Sequence, residues 1–222
     1  LTMRLDAPSP IAASGSITLA FQPDTSAALA KDDPTVVFTA TGARSVPFSI
    51  QTGGTQALLA GQPEAIFQTG TTAGTITFTV SSNAALSGDS SATLKIPPEP
   101  VVIDLAGAYA EAGALNLEIR GFDNTYSAGT MSFTFYDTAG RTIAGPIQAS
   151  FTASFHDYFL SSQYGGAFQA LVKFPVIGDA SQAGSVDLQM TNAAGSTATQ
   201  HLIFLDDAPQ CEKLPDGLAC SP

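Results

Sequence analysis

The stretch Ala73-Gly-Thr-Ile-Thr-Phe-Thr-Val80 decides the fold, because it alternates apolar and threonine side chains without interruption. Successive side chains of a β-strand point to opposite faces, so this pattern predicts a strand with Ile76, Phe78 and Val80 facing a core. A turn and a second alternating segment, Ala92–Ile96, follow it. We therefore predict an antiparallel hairpin.

The same kind of hairpin occurs a second time in the chain. Ala183–Met190 reads AGSVDLQM, and a turn and a returning strand that begins near Thr197 follow it. The offset of 183 − 73 = 110 residues is the length of one β-sandwich domain. The repeat predicts two tandem domains, residues 1–98 and 99–222, joined by the semi-rigid link Pro97-Pro98-Glu99-Pro100.

Composition supports an all-β fold. Short alternating segments recur with Gly, Pro, Asn or Asp between them, as in β-sandwiches rather than in alternating strand–helix units. Charged residues make up only 12% of the chain, and threonine, serine and glycine take their place. Because exposed helices usually carry Glu and Lys, this composition favours strands.

The start of the second domain resembles a known family. Pro100-Val-Val-Ile-Asp104, followed by Gly113-Ala-Leu-Asn-Leu-Glu-Ile-Arg-Gly-Phe122, is similar to the opening of IPT/TIG-type immunoglobulin-like domains. Ala106–Gly113 departs from the family pattern, which has a Pro/Gly-rich link there. The resemblance implies two tandem immunoglobulin-like β-sandwich domains of the kind found in bacterial secreted and cell-surface proteins. It also implies non-catalytic modules that act as spacers, adhesive units or polymer subunits.

Charge and hydropathy exclude two classes of partner. The net charge is −11, and the eight basic residues lie singly between Arg4 and Lys213, so no basic patch is predicted for nucleic acid. No apolar run is long enough for a membrane span. The chain opens on Leu1 rather than Met, which we interpret as the start of a processed or excised product.

Cys211 and Cys220 lie close together near the end of the chain. Their spacing matches no common zinc or redox motif, so we predict a disulfide that closes a small loop in an oxidising compartment. Two unpaired thiols are the alternative. The disulfide predicts secretion or a cell-surface location.

Few residues suit catalysis. The two histidines, His156 and His201, do not belong to any common catalytic or metal-binding motif, and no acidic run has the spacing of a calcium loop. We therefore predict no enzyme activity, no cofactor and no metal site. Two carboxylates brought together in space would be the exception.

Aromatic residues concentrate in residues 151–174. Alternation predicts a strand at Phe151–Phe155, and His156–Phe168 lacks alternation and predicts a crossover between sheets. Candidate ligand-binding residues in this region are Tyr158, Phe159, Tyr164 and Phe168, whose rings would stack on a sugar or anchor a protein. The alternative is a small hydrophobic cluster of the crossover itself.

Leu1, Met3 and Leu5 alternate with polar residues ahead of Pro8 and Pro10. They form either the first strand of their own domain or a donor strand that pairs with a neighbouring molecule and builds a homopolymer. The leading functional hypothesis is a non-catalytic extracellular structural or adhesive protein, a stalk or filament subunit. The alternative is a carbohydrate-binding module that uses residues 151–174.

Overall fold

The computed structural model describes residues 1–84 and 90–205, together with the backbone of 211–214 and 217–220. The chain divides into two compact units, Leu1–Pro98 and Glu99–Pro222. Apart from one ten-residue α-helix and one short 3-10 turn, the described regular structure is β-strand, which confirms the all-β prediction. Among these residues, no helix combines the length and apolarity needed to cross a membrane.

The first unit contains a five-stranded antiparallel sheet in the order β3-β2-β1-β4-β5. Its strands are β1 (Ala13–Pro23), β2 (Ser45–Ile50), β3 (Leu58–Leu59), β4 (Gly74–Ser82) and β5 (Ser91–Ile96). β4 and β5 form the predicted hairpin. The register of β1 on β4 aligns Leu19 with Phe78, and Ile76 and Phe78 are buried as the alternation predicted.

The amino-terminal segment belongs to the first unit. Met3 O accepts a hydrogen bond from Ala57 N at 3.1 Å, and Leu5 N donates to Thr55 O at 2.8 Å. Leu1, Met3 and Leu5 pack against the core of the same unit. In this structure they therefore fill their own domain, and donation to a neighbour stays a prediction.

The second unit contains a larger sheet, in the order β10-β7-β6-β13-β11-β8-β9, and the short β12 pairs with β11. The strands are β6 (Val102–Glu111), β7 (Ala114–Phe122), β8 (Thr130–Asp137), β9 (Thr142–Ser150), β10 (Ala167–Pro175), β11 (Ala183–Asn192), β12 (Gly195–Ser196) and β13 (Gln200–Leu205). Neighbours are antiparallel except β13 and β6, which are parallel. β11 and β13 form the second predicted hairpin.

This sheet curls so that strands far apart in its order face each other. The ring of Phe174 on β10 lies 4.8 Å from that of Phe133 and 5.0 Å from that of Phe135, both on β8. Phe135 also stacks on Phe204 of β13 at 6.2 Å. The core of the second unit therefore lies between the β10-β7-β6 part and the β13-β11-β8-β9 part.

The predicted strand at Phe151–Phe155 is wrong, because residues Thr152–Ser161 form an α-helix, α1. Phe155 and Phe159 are its buried residues, and a spacing of four puts them on one face of a helix. The alternation of Phe151, Ala153 and Phe155 is compatible with a strand. However, Phe155 and Phe159 are four residues apart and both buried, and a helix puts residues at this spacing on one face. α1 connects β9 to β10, which are the two edge strands of the same sheet, so the chain crosses within one curled sheet and not between two sheets as predicted.

Among the residues that the structure describes, each unit buries one aspartate in a turn. Asp33 accepts hydrogen bonds from Thr35 N and Oγ1 at 3.0 and 2.6 Å and from Thr72 Oγ1 at 2.9 Å. Asp123 accepts from Thr125 N and Oγ1 at 2.9 and 2.7 Å. In both, a threonine two residues after the aspartate completes the turn, the ordinary use of Asp in tight loops.

Candidate functional site

The candidate site is built around α1 and β10. Phe159, only 1% exposed, lies among the rings of four neighbours. The centroid of its ring lies 5.3 Å from that of Tyr126, 5.5 Å from Tyr158, 5.8 Å from Phe155 and 6.3 Å from Phe168. These edge-to-face and stacked contacts fix the helix on the sheet.

Gly121 on β7 permits part of this packing. A Cβ added at Gly121 would lie 2.8 Å from Cζ of Phe168, closer than side chains tolerate. The absence of a side chain there lets the Phe168 ring settle on β7 beneath α1. Gly121 is also the second glycine of the sequence motif that resembles the IPT/TIG opening.

A groove of about 410 Å³ runs between α1 and β10. Its lining residues, all uncharged, are Met131, Phe151, Ser154, Phe155, Tyr158, Gln169, Ala170, Leu171 and Val172. Tyr158 lines the groove and donates a hydrogen bond from its hydroxyl to Ala167 O at 3.1 Å. A volume of this size accommodates a small ligand or a few residues of peptide.

The backbone of β10 turns one edge toward this groove. Ala167 N donates to Tyr164 O at 3.2 Å, and Ala167 O accepts from Tyr158, so both groups point away from β7. Backbone direction repeats every second residue in a strand, so Gln169, Leu171 and Lys173 also turn their N–H and C=O groups outward. β10 ends the strand order of the sheet, so no described strand pairs with this edge.

Charged side chains near the groove are paired with one another. Lys173 Nζ lies 2.6 Å from Glu111 Oε1. Glu118 Oε1 accepts from Arg120 at 2.9 Å and from Gln169 Nε2 at 2.8 Å. The pKa of Glu111 lies below its ordinary value, chiefly because of the hydrogen bond from Lys173. The groove therefore presents a neutral surface in a chain of net charge −11.

The four predicted ligand-binding residues separate into two pairs. Phe159 and Phe168 are 1% and 5% exposed and belong to the core beneath α1. Tyr158 is 36% exposed and lines the groove, whereas Tyr164 is 77% exposed and lies outside the lining. Sequence reasoning missed Ser154, Gln169 and Leu171, because only the helix and the free strand edge bring them together. The available signal for Leu171 was an apolar residue at a position that strand alternation assigns to the same face as Gln169 and Lys173.

A second polar cluster crosses the outer face of β8, β11 and β13. His201 Nδ1 donates to Asp187 Oδ1 at 2.7 Å, and Tyr136 Oη donates to Asp187 Oδ2 at 2.8 Å. The His201 hydrogen bond is the main reason that the pKa of Asp187 lies below its ordinary value, and Asp187 in turn raises the pKa of Tyr136. His201 is exposed, and the described residues place no nucleophile in hydrogen-bond contact with its ring.

The remaining sequence predictions concern His156, metals and cysteines. His156 lies on α1 with Nδ1 3.4 Å from Asp157 Oδ1, both exposed. Within 1–84 and 90–205, no three His, Cys, Asp or Glu side chains gather as a metal site. The backbone of β14 (Cys211–Leu214) pairs with that of β15 (Gly217–Cys220), with Cys211 opposite Cys220. The cysteine side chains lie outside the described part, so the disulfide stays a prediction.

Comparison with known proteins identifies no family. No protein-family model and no curated protein matches this chain, so the IPT/TIG resemblance also stays a prediction. A DUF3823 family protein from Bacteroides ovatus aligns over 91% of this chain and 97% of its own, at 10% identity and a TM-score of 0.29. The adhesin domain of Epf from Streptococcus pyogenes aligns over 93% of this chain and 70% of its own, at 8% identity and a TM-score of 0.30. At these TM-scores neither similarity identifies the fold or the function of this chain.

Proposed function

We propose that this protein is a non-catalytic structural or adhesive module of the cell surface, built from two immunoglobulin-like β units. The observation that carries the proposal is the strand arrangement of the second unit. β6, β7 and β10 face β9, β8, β11 and β13 across one core, and β13 returns to lie parallel beside β6. Two facing layers of mainly antiparallel strands are typical of immunoglobulin-like sandwiches.

The exposed surface of the second unit supports an adhesive role. Several large apolar side chains stand in solvent, among them Leu105, Leu171, Ile177 and Ile203, each more than half exposed. Burial of these side chains against a partner would remove apolar surface from water and so favour contact with other macromolecules. The buried aspartates support a non-catalytic role, because the carboxylate oxygens of Asp33 and Asp123 accept hydrogen bonds from their own turns and from distant residues, Thr72 and Asn192 respectively.

We favour a stalk or adhesive unit over a strand-donating filament, because Leu1, Met3 and Leu5 pack in their own domain. We also favour protein contact over the carbohydrate alternative. Two of its four aromatic residues, Phe159 and Phe168, are buried, and the hydroxyl of Tyr158 already binds Ala167 O.

Two measurements test the proposal. Antibody labelling of intact cells that produce the protein should give a surface signal, and labelling that appears only after permeabilisation would overturn the proposal. Light scattering of the purified chain should give the 22.7 kDa mass of a monomer. A polydisperse polymer would instead favour the filament.

A further inference from the structure

We propose that the groove between α1 and β10 accepts an extended segment of a separate polypeptide, which adds to the sheet as a strand beside β10. The inference rests on the proposed adhesive function, because this groove would be the contact through which the module holds a partner. Strand addition at an exposed sheet edge gains affinity from main-chain hydrogen bonds and specificity from alternate side chains.

The backbone of β10 provides the main-chain half of such a site. Its pairing with β7 runs without a register shift from Ala167↔Phe122 to Pro175↔Ala114, so the edge is regular along its length. Gln169, Leu171 and Lys173 present their outward groups at this edge. A span of five residues is about 17 Å long, enough to pair with a partner segment of similar length.

The opposite edge of the sheet, β9, offers no comparable template. Its pairing with β8 is interrupted at two places, and Pro146 lacks the N–H that a ladder needs. Bulges and prolines are the ordinary protection of edge strands. β10 lacks both before Pro175, at its end, and no strand in the described part of the chain pairs with its outer edge.

The lining of the groove defines the chemistry of the partner. Alternate side chains of an added strand would face Met131, Phe155, Tyr158 and Val172 on the inner side and Leu171 on the outer side. A charged side chain buried here would lose its hydration and find no opposite charge, because Lys173 and Glu118 are already paired. The partner segment is therefore uncharged where it enters, with apolar side chains at every second position.

A second copy of this chain does not meet these requirements. The inward side chains of its own β10, such as Phe168 and Val172, are already buried in its core and cannot enter the groove. Leu1, Met3 and Leu5 of a second copy are likewise packed against their own core. A segment from another protein, extended and otherwise unpaired, satisfies both the edge and the groove.

The test uses a phage-displayed library of random peptides of about eight residues, a length that covers the free edge. The library is selected on the immobilised full chain. Enriched peptides are then synthesised, and their Kd is measured for the wild type and three variants. Tyr158→Ala removes a wall of the groove, and Leu171→Pro removes one outward N–H at an edge position where proline leaves the pairing with β7 intact. Tyr164→Ala removes an exposed tyrosine outside the groove and is the matched control.

We expect enriched peptides with apolar residues at alternate positions and no charge between them. Tyr158→Ala and Leu171→Pro should each weaken binding about tenfold or more, and Tyr164→Ala should leave it unchanged. Melting temperature and circular dichroism identify any variant that fails to fold, and the other variant then decides.

Three results would overturn the inference. They are a selection without enrichment, peptides that bind Tyr158→Ala and Leu171→Pro as tightly as the wild type, and a wild-type dimer that Leu171→Pro dissociates. The last would make a second copy the occupant of the edge. None of these depends on cell-surface labelling, so failure of this inference is distinguishable from failure of the proposed function.

Discussion

Asn192 Nδ2 donates a hydrogen bond to Asp123 Oδ1 at 2.8 Å, although the two residues are 69 positions apart in the chain. Both side chains are buried. Asn192 Nδ2 also donates to Glu99 O at 2.8 Å, so one amide connects the first residue of the second unit, the turn after β7 and the end of β11. The turn is thus part of the tertiary structure of the unit.

Replacing Asp123 should destabilise the second unit substantially. In Asp123→Asn, an NH₂ group in place of Oδ2 would face the amides of both Ser127 and Ala128, which now donate to Oδ2 at 2.8 and 2.6 Å. Burial of unsatisfied donors costs about 1–3 kcal/mol, so we expect a loss of roughly 2–4 kcal/mol in the free energy of unfolding, measured in urea. Asp104→Asn, at an exposed position of β6, should change it by less than about 0.5 kcal/mol. Equal effects of the two variants would contradict the structural role of Asp123.

Asp33 should make the first unit sensitive to acid. Burial acts to raise its pKa, but hydrogen bonds from Thr35, Thr71 and Thr72 outweigh burial, so the pKa lies below its ordinary value. The contribution of Asp33 to stability is therefore complete above the unfolded pKa of about 3.9 and is lost as the pH falls through the lower folded value. NMR titration of the carboxyl group measures the pKa of Asp33, and urea unfolding midpoints recorded against pH measure the stability of the first unit.

The matched control for that experiment is Asp32→Asn. Asp32 pairs with Arg44 at the surface, with 62% of its side chain exposed, and exposed pairs contribute little. Asp33→Asn should remove a clear part of the acid dependence, whereas Asp32→Asn should leave it nearly intact. If the acid dependence of stability is unchanged in Asp33→Asn, groups other than Asp33 cause that dependence.

Phe159→Ala should lower the free energy of unfolding by about 3–5 kcal/mol, because the ring is buried among four others. The large effect distinguishes a core residue from a ligand contact, which would affect binding without affecting stability. Tyr164→Ala should be nearly neutral, since that ring is 77% exposed. Thermal or urea unfolding compares the two, and a neutral Phe159→Ala would show that α1 is not packed as described.

His201→Ala should move the pKa of Asp187 upward toward its ordinary value, because the hydrogen bond from His201 is the main cause of its depression. Asp187→Asn should lower the pKa of Tyr136, which that carboxylate raises. Stability should change by no more than about 1 kcal/mol, as for other surface pairs. NMR titration of the two side chains provides the readout, and a pKa of Asp187 unaffected by His201→Ala would exclude the coupling.

Deleting residues 1–7 should lower the melting temperature of the first unit. The deletion removes the Leu1, Met3 and Leu5 side chains from the core and the backbone bonds to Thr55 and Ala57. The oligomeric state measured by light scattering should not change. A deletion variant with unchanged melting temperature but altered assembly would instead assign this segment to a neighbouring molecule.

The sequence predicted where strands lie better than which strands pair with one another. Alternation located β4 and β11 because it follows directly from which face is buried. Alternation could not separate a strand from a helix at Phe155. The spacing of two from Ala153 suits a strand, the spacing of four to Phe159 suits a helix, and the residues that pack against them decide between the two. The groove depends on contacts between Tyr158 and Ala167, and on the free side of β10, which are tertiary relationships. The aspartate turns share the pattern Asp-x-Thr, a signal present in the sequence that composition alone does not reveal.

The parallel pairing of β6 and β13 has a consequence for the order of events during synthesis. Phe204 lies beside Ala108, so 204 − 108 = 96 residues separate partners in adjacent strands. The first unit can complete its sheet once β5 has emerged from the ribosome, because all five of its strands precede Pro97. The second must keep β6 without this neighbour until β13, Gln200–Leu205, has been translated, and closing so long a loop is slow. A nascent chain arrested before β13 therefore carries one finished unit and one open sheet.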